Sequence, residues 1–307
     1  MENHYYSINQ HYKRVYGHKV YKLALDIGGT CPNRDGLLAI GGCTFCLAGS
    51  GHFASRQDVD IKAQIQQAKD LLRNKVDLNT KYCAYFQSFT NTYGDLKHLR
   101  EIFLETIHQE DIVSMSIGTR PDCLDDNVMD LLRELQNIKP ISIELGLQTI
   151  HDKTAEAFNR GYKTEVFYET VEKLHASGIE IVVHLIFGLP GESKTDMLAT
   201  VEALQALPIQ GLKLQVLHIL KGTKMAEEDV RLLEEEEWFQ LLALLLPRIP
   251  EDVVIHRLTG DGPKEYLIGP LWTANKRQVR NHMGKYFRAH NVVQGSLVEG
   301  YRNRNKR

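Results

Sequence analysis

Short runs of apolar and β-branched residues recur along this 307-residue chain, separated by longer stretches whose apolar residues follow a helical period. The runs are Val20–Asp26, Lys81–Gln87, Ile112–Ile117, Ile141–Leu147, Ile179–Phe187 and Leu212–Leu217. Between them, Ile61, Ile65, Ala68 and Leu72 share one helical face. So do Leu124, Val128, Leu131 and Leu135, and again Met197, Val201 and Leu204. After the first run, most strand starts fall about thirty residues apart, the length of a βαβ unit, which dictates parallel pairing through right-handed crossovers. The runs alternate little, as in a sheet covered on both faces. Six units are fewer than the eight that close a barrel, so the expected fold is α/β, a partial (β/α)6 barrel.

The expected organisation is a basic, aromatic segment over residues 1–17, the barrel over 18–225 and a C-terminal extension over 226–307. A helix around Glu234–Leu246 starts acidic, turns apolar and ends at Pro247 and Pro250. Val253–Leu258 reads as one further strand, followed by a turn at Gly260, Gly262 and Pro263.

With 43% hydrophobic and 25% charged residues, the composition is that of a soluble globular protein. The polar N-terminus holds no signal-peptide core, and no apolar stretch is long enough for a membrane helix, so a cytoplasmic protein without membrane partners is expected. Charge is segregated along the chain. From Lys276 to the C-terminus nine Lys and Arg stand against Glu299 alone, whereas Glu227, Glu228, Asp229 and Glu234 to Glu237 form an acidic run. A basic terminus of this kind points to a polyanionic partner, nucleic acid first.

Five cysteines, an odd number, argue against a disulfide framework in an unsecreted chain. Three of them, Cys31, Cys43 and Cys46, fall in one glycine-rich loop after the first strand. That is the edge where barrel folds place their chemistry. Gly29, Gly36, Gly41, Gly42, Gly49 and Gly51 let the loop turn tightly and bring backbone amides near sulfur. Cys83 and Cys123 each lie in or just beyond a different strand and read as small buried hydrophobes. Three thiolates can hold a four-iron cluster with one iron left open to a ligand. With His52, they can equally complete a Cys₃His zinc site. The loop alone leaves both possibilities open.

The unit Cys43-Thr44-Phe45-Cys46 resembles the Cys-x-aromatic-Cys of the radical S-adenosylmethionine superfamily. Eleven residues separate Cys31 from Cys43, where that superfamily usually has three; the wide spacing is similar to the branch containing the catalytic subunit of Elongator and its YhcC/YtqA-like bacterial members. Later motifs carry the same resemblance. Glu144-Leu145-Gly146-Leu147-Gln148, with Arg160 twelve residues on, resembles a Gly-x-Gln … Arg pattern of oxygen-independent coproporphyrinogen oxidases. The segment from His184 through Gly188 to Glu192 is similar to their Asp-Leu-Ile-Tyr-Gly-Leu-Pro, with His184 where they have a carboxylate. Gln87 and Ser88 stand where relatives carry a glycine-rich loop.

The resemblance implies a 4Fe–4S cluster on Cys31, Cys43 and Cys46 and S-adenosyl-L-methionine on its open iron. It implies a cofactor site of Phe45 against the adenine, Gln87 and Ser88 near the methionine amine, Gln148 on the ribose and Arg160 on the carboxylate. Glu144, His184 and Gly188 complete that set. It further implies reductive cleavage to a 5′-deoxyadenosyl radical with an electron donor such as flavodoxin or ferredoxin. The substrate implied is the tRNA wobble uridine, whose 5-carboxymethylaminomethyl group would become 5-aminomethyl, for use by a downstream methyltransferase. On this view the N-terminal aromatics and the basic C-terminus flank the barrel mouth and hold RNA. An acetyl-transfer domain like Elongator's is not expected, since few residues follow the barrel. Two alternatives are a small-molecule or protein substrate for the same chemistry, and a zinc-stabilised, non-catalytic RNA-binding protein.

Overall fold

A computed structural model describes residues 4–47, 60–77, 79–260 and 262–299. His52 and the last four basic residues, from Arg302 on, lie outside the described residues. Seven parallel strands pair in chain order: β1 (Val20–Leu25), β2 (Lys81–Phe86), β3 (Ile112–Thr119), β4 (Ile141–Gln148), β5 (Glu180–Phe187), β6 (Gly211–Val216) and β8 (Val254–Arg257). The result is a curled half-barrel. Its six expected strands are all present, and β8 pairs with β6 to add the seventh. The chain beyond residue 226 is thus part of the sheet, because β8 continues the parallel edge that β6 would otherwise leave unpaired.

Helices cover the outer face: α2 (Ile61–Asp70), α3 (Leu96–Ile107), α4 (Asp126–Gln136), α6 (Thr164–Ala176), α7 (Lys194–Glu202) and α8 (Glu235–Leu245), with the short α5 (Asp152–Ala157) after β4. Most start at a polar N-cap: Asp60, Asp95, Asp125 and Ser193 each accept a backbone N–H of the first turn. Leu23, Phe86, Ile117, Ile143, Leu145, Val183, Leu185 and Leu214 point from the strands into this helical layer and form the main core. The alternate residues point the other way. Lys22, Tyr85, Ser116, Glu144, His184 and Lys213 meet one another inside the barrel. The sheet is therefore apolar on one face and polar on the other, unlike the doubly apolar sheet that the strand composition predicts.

The N-terminal segment forms α1 (Ile8–Tyr16), started by a Ser7/Gln10 capping box. It does not flank the mouth. Tyr12 packs with Val20 and Cys83 at the strand starts, and Tyr6 O accepts from Ile255 N at 2.7 Å, so α1 closes the opposite, N-terminal end. Its aromatics are used as a plug, which is why they are available to the core and not to a base. A small two-stranded ribbon, β7 (Ile219–Leu220) with β9 (Leu267–Gly269), follows β6 at the mouth. The last helix, α9 (Lys276–Ala289), buries Val279, Met283 and Phe287 and turns Lys276, Arg277, Arg280, Lys285 and Arg288 to solvent. It starts just past the 271–274 turn, where Thr273 meets His218 Nε2 at 2.9 Å beyond the end of β6.

Candidate active site

The cysteine loop leaves β1 at the C-terminal rim. Cys31 O accepts from Arg34 N (2.8 Å) and Asp35 N (3.2 Å), and Cys43 O accepts from Cys46 N (2.9 Å), so both cysteine turns are closed by backbone bonds. Thr44 fastens the loop across the barrel: its N–H donates to Phe158 O at 3.0 Å and its O accepts from Met225 N at 2.9 Å. Phe45 lies beside Phe158, ring centroids 5.3 Å apart, in a patch with Leu189, Leu217 and Met225. The loop is thereby fixed to the ends of β4, β5 and β6.

Asn33 is a residue that motif reading passes over. Its amide donates to Asn159 O and approaches Cys43 Sγ at 3.7 Å. Gly161 makes room for it: at φ +82° it is in the left-handed region, and a Cβ there would fall 2.7 Å from Asn33 Oδ1. Burial and Cys46 push the Cys43 thiol up to about 12, against Arg120 and the Asn33 amide. Arg120, just past β3, forks onto Asp122 at 2.8 and 2.7 Å and donates to Arg160 O at 2.8 Å. It supplies positive charge beside the thiols, and its place at a strand end was the available sequence signal. Cys123, expected as a buried hydrophobe, is only half-buried, in the turn after β3, whereas Cys83 is in the core.

The two oxidase-like motifs meet at the same rim. Gln148 ends β4 at φ +65°, a conformation rare for a non-glycine residue. A Cβ on Gly146 would lie 2.7 Å from its Nε2, so the Gly-x-Gln spacing is what allows this side chain to fold back. Gly188 follows β5 at φ +84°. Gln87 is half-buried beyond β2, next to the fully buried Ser88. Arg160 departs from expectation. All five of its N–H donors are used within the protein, on Leu147 O, Thr149 O, Tyr162 O, Asp152 Oδ1 and Thr164 Oγ1. It therefore ties β4 to the following helices and has no donor left for a ligand carboxylate.

Below the rim, Glu144 also differs from a simple cofactor contact. Its Oε1 accepts from Lys22 and from Ser116, both at 2.9 Å, and its Oε2 meets His184 at 2.8 Å and Lys213. Burial works to raise its pKa, but Lys213, Lys22 and His184 outweigh it and hold the carboxylate well below its ordinary range. Burial and Lys213 push His184 down to about 4, so it is a neutral imidazole at pH 7. Glu144 and His184 belong to an internal charge cluster, with Lys22, Lys213 and Tyr85 as members that motif reading did not select.

Cys43 lies within electrostatic reach of both Cys31 and Cys46. Among the described residues, however, no three Cys, His, Asp or Glu side chains converge as they would around one metal ion. Around them, Asn33 Oδ1, Thr44 Oγ1, Ser88 Oγ and Asn91 Oδ1 are buried without a partner among the described residues. This polar rim fits a cluster with a polar cofactor.

Comparison with known proteins agrees. Residues 27–204 match the Radical SAM superfamily and residues 209–289 the Radical_SAM C-terminal domain. YtqA of Bacillus subtilis is 42% identical over 303 residues, 97% of this chain and 94% of that one. The tRNA uridine(34) acetyltransferase of Methanocaldococcus jannaschii is 23% identical over 188 residues, 59% of this chain and 34% of that one. Among solved structures, the Elp3 of Methanocaldococcus infernus with an N-terminal deletion superposes with a TM-score of 0.68 at 17% identity, covering 90% of this chain and 64% of that one. The chain belongs to the Radical SAM superfamily, in the branch that contains YtqA and is related to Elp3. It is accordingly a radical enzyme whose cofactors are a 4Fe–4S cluster and S-adenosyl-L-methionine. Among the described residues, no helix is long and apolar enough to cross a membrane.

Proposed function

We propose that Cys31, Cys43 and Cys46 carry the cluster and that the enzyme converts the 5-carboxymethylaminomethyl group of the tRNA wobble uridine to 5-aminomethyl. The observation that carries this reading is the cysteine loop, fastened over the open end of a barrel whose interior is polar and whose other end is plugged. Together the cofactors supply a 5′-deoxyadenosyl radical able to take hydrogen from an unactivated carbon. The protein's part is to hold and orient. Phe45 offers an aromatic edge for the adenine, Gln148 an amide that can both donate to and accept from ribose hydroxyls, and Ser88 an unpartnered hydroxyl at the rim. Gln87 and Gly188 line the same end, and Asn33 and Arg120 temper the charge on the thiolates. An electron carrier of the flavodoxin or ferredoxin type would feed the cluster, and a methyltransferase would take the amine produced.

Two features support tRNA. One is the relative named for tRNA uridine(34). The other is α9, whose five outward cations start at the mouth and run down the barrel flank. Reversing two of them, Arg277→Glu with Arg280→Glu, is expected to weaken tRNA binding at least about tenfold at 0.1 M salt and to flatten the log–log salt slope by about two. Filter binding across a salt series measures both. Unchanged binding would favour a small-molecule or protein substrate. The function itself is tested by nucleoside analysis of tRNA from a strain lacking the gene. 5-Carboxymethylaminomethyluridine should accumulate there and 5-aminomethyl derivatives should fall; an unchanged profile refutes the assignment.

A further inference from the structure

Two lysines in the charge cluster inside the barrel depend on one carboxylate. Lys22 and Lys213 share the single carboxylate of Glu144, and His184 beside them is neutral at pH 7. Arg257 on β8 adds positive charge toward Lys213, and His256 on the same strand is also held neutral by burial. Glu180, at the exposed start of β5, also faces Lys22 but makes no ion pair with it among the described residues. Two lysines inside the barrel thus share contact with one carboxylate.

The cluster's hydrogen bonds are incomplete. An ammonium has three N–H donors. Lys213 places two, on Glu144 and on Tyr85 Oη at 2.7 Å; Lys22 places one, on Glu144. Both nitrogens lie 4.5 Å from the centroid of the Tyr85 ring. Three donors on two ammoniums thus have no acceptor among the described residues; Lys213 is only 3% exposed, whereas the Lys22 side chain, 25% exposed, reaches solvent. Burying such a cation is costly unless an anion completes its surroundings.

The approach to these lysines is set by the fold. α1 seals the N-terminal end, so a ligand enters from the mouth. In the layer above Ser116 and Glu144, the inward positions on β3 and β4 are Gly118 and Gly146, which add no side chain of their own, and the Gln148 amide folds over Gly146 above the lysines. Lys213 lies three residues before the end of β6, about 10 Å below the rim at 3.3 Å per residue. A ligand that reaches these lysines from the mouth must therefore be narrow and flexible, with a small anionic end.

We propose that Lys213 and Lys22 form a receptor for a carboxylate that the substrate carries into the barrel on a flexible arm. This rests on the tRNA reading above, since the 5-carboxymethylaminomethyl group is such an arm. S-adenosyl-L-methionine also bears a carboxylate, and the experiment separates the two sources. Burial lowers Lys213 to about 7, against the pull of Glu144 and with Lys22 and Arg257 adding to the fall. A bound carboxylate favours the charged form. Affinity is then full below pH 7 and falls as pH rises through it, with a proton taken up on binding.

The test uses anaerobically reconstituted wild type, Lys213→Met and Lys213→Arg. Lys213→Met leaves Glu144 paired with Lys22 and so retains a neutral core. Each protein is titrated with tRNA bearing either 5-carboxymethylaminomethyluridine or 5-aminomethyluridine, and separately with S-adenosyl-L-methionine. The wild type is expected to prefer the carboxylate-bearing tRNA at least tenfold at pH 6.5. Lys213→Met should lose that preference and Lys213→Arg should keep part of it, with S-adenosyl-L-methionine affinity unchanged in both. A Lys213→Met protein that retains the preference overturns the proposal. So does one whose loss falls on S-adenosyl-L-methionine, which would assign the lysine to that cofactor. If the wild type binds neither tRNA, the tRNA reading fails, and N-methylglycine becomes the probe. It should bind wild type more weakly as pH rises above 7 and not bind Lys213→Met; equal binding to both proteins removes the receptor.

Discussion

Cys43→Ala protein, purified without oxygen and reconstituted with iron and sulfide, is expected to be pale and to yield no 5′-deoxyadenosine. Wild type should hold about four irons per chain and bleach on reduction. The size of this effect follows from how the loop is built. Cys43 is the thiol that Asn33 approaches, and it sits on the segment fastened through Thr44 to Phe158 and Met225. Removing its sulfur leaves two ligands for a cluster that needs three, without disturbing those backbone bonds. A normal melting curve should therefore accompany the loss of iron. If Cys43→Ala keeps its full iron content and turnover, the ligand assignment is wrong.

Glu144→Gln is expected to have the largest effect on stability. The carboxylate is the common partner of Lys22, Lys213 and His184, and it is 1% exposed. Removing it leaves Lys213 buried without its carboxylate and Lys22 with only the exposed Glu180 nearby, a cost of about 3–5 kcal/mol. In a chain of this size that lowers Tm by roughly 10 °C. The pH dependence has a definite sign. Lys213 sheds its proton near pH 7 when folded but near its ordinary value when unfolded, so the unfolded state binds more protons between those limits and wild-type stability rises with pH there. In Glu144→Gln the lysine has lost its partner and deprotonates more readily. The Tm deficit should then be greatest near pH 6 and shrink toward pH 9. Adding Lys213→Met to Glu144→Gln should restore most of the loss. A deficit that is flat in pH, or not relieved by the second substitution, would show that Glu144 acts by shape and not by charge.

The strands, their order and the cysteine loop were legible because they depend on local periodicity and spacing. The sidedness of the sheet was not. Lys22, Glu144, His184 and Lys213 each interrupt an otherwise apolar run, and each can be read alone as a solvated or misplaced charge. Only the register of four strands shows that they meet. Arg160 was misread for a related reason. Its motif spacing is right, but its donors are consumed by carbonyls of residues nearby in the chain, which a motif does not display. The N-terminal aromatics were assigned to RNA from composition. Their place beneath the barrel is set by the pairing of residues 6 and 7 with Ile255, some 250 residues away and invisible to any local pattern.

The most direct measurement is made on wild-type protein isolated anaerobically: iron, acid-labile sulfide and zinc content, followed by dithionite reduction and quantitation of 5′-deoxyadenosine after addition of S-adenosyl-L-methionine. Brown protein with about four irons and matching sulfide, forming 5′-deoxyadenosine on reduction, is the expected result. Colourless protein with one tightly held zinc and no 5′-deoxyadenosine, even after reconstitution, would contradict it.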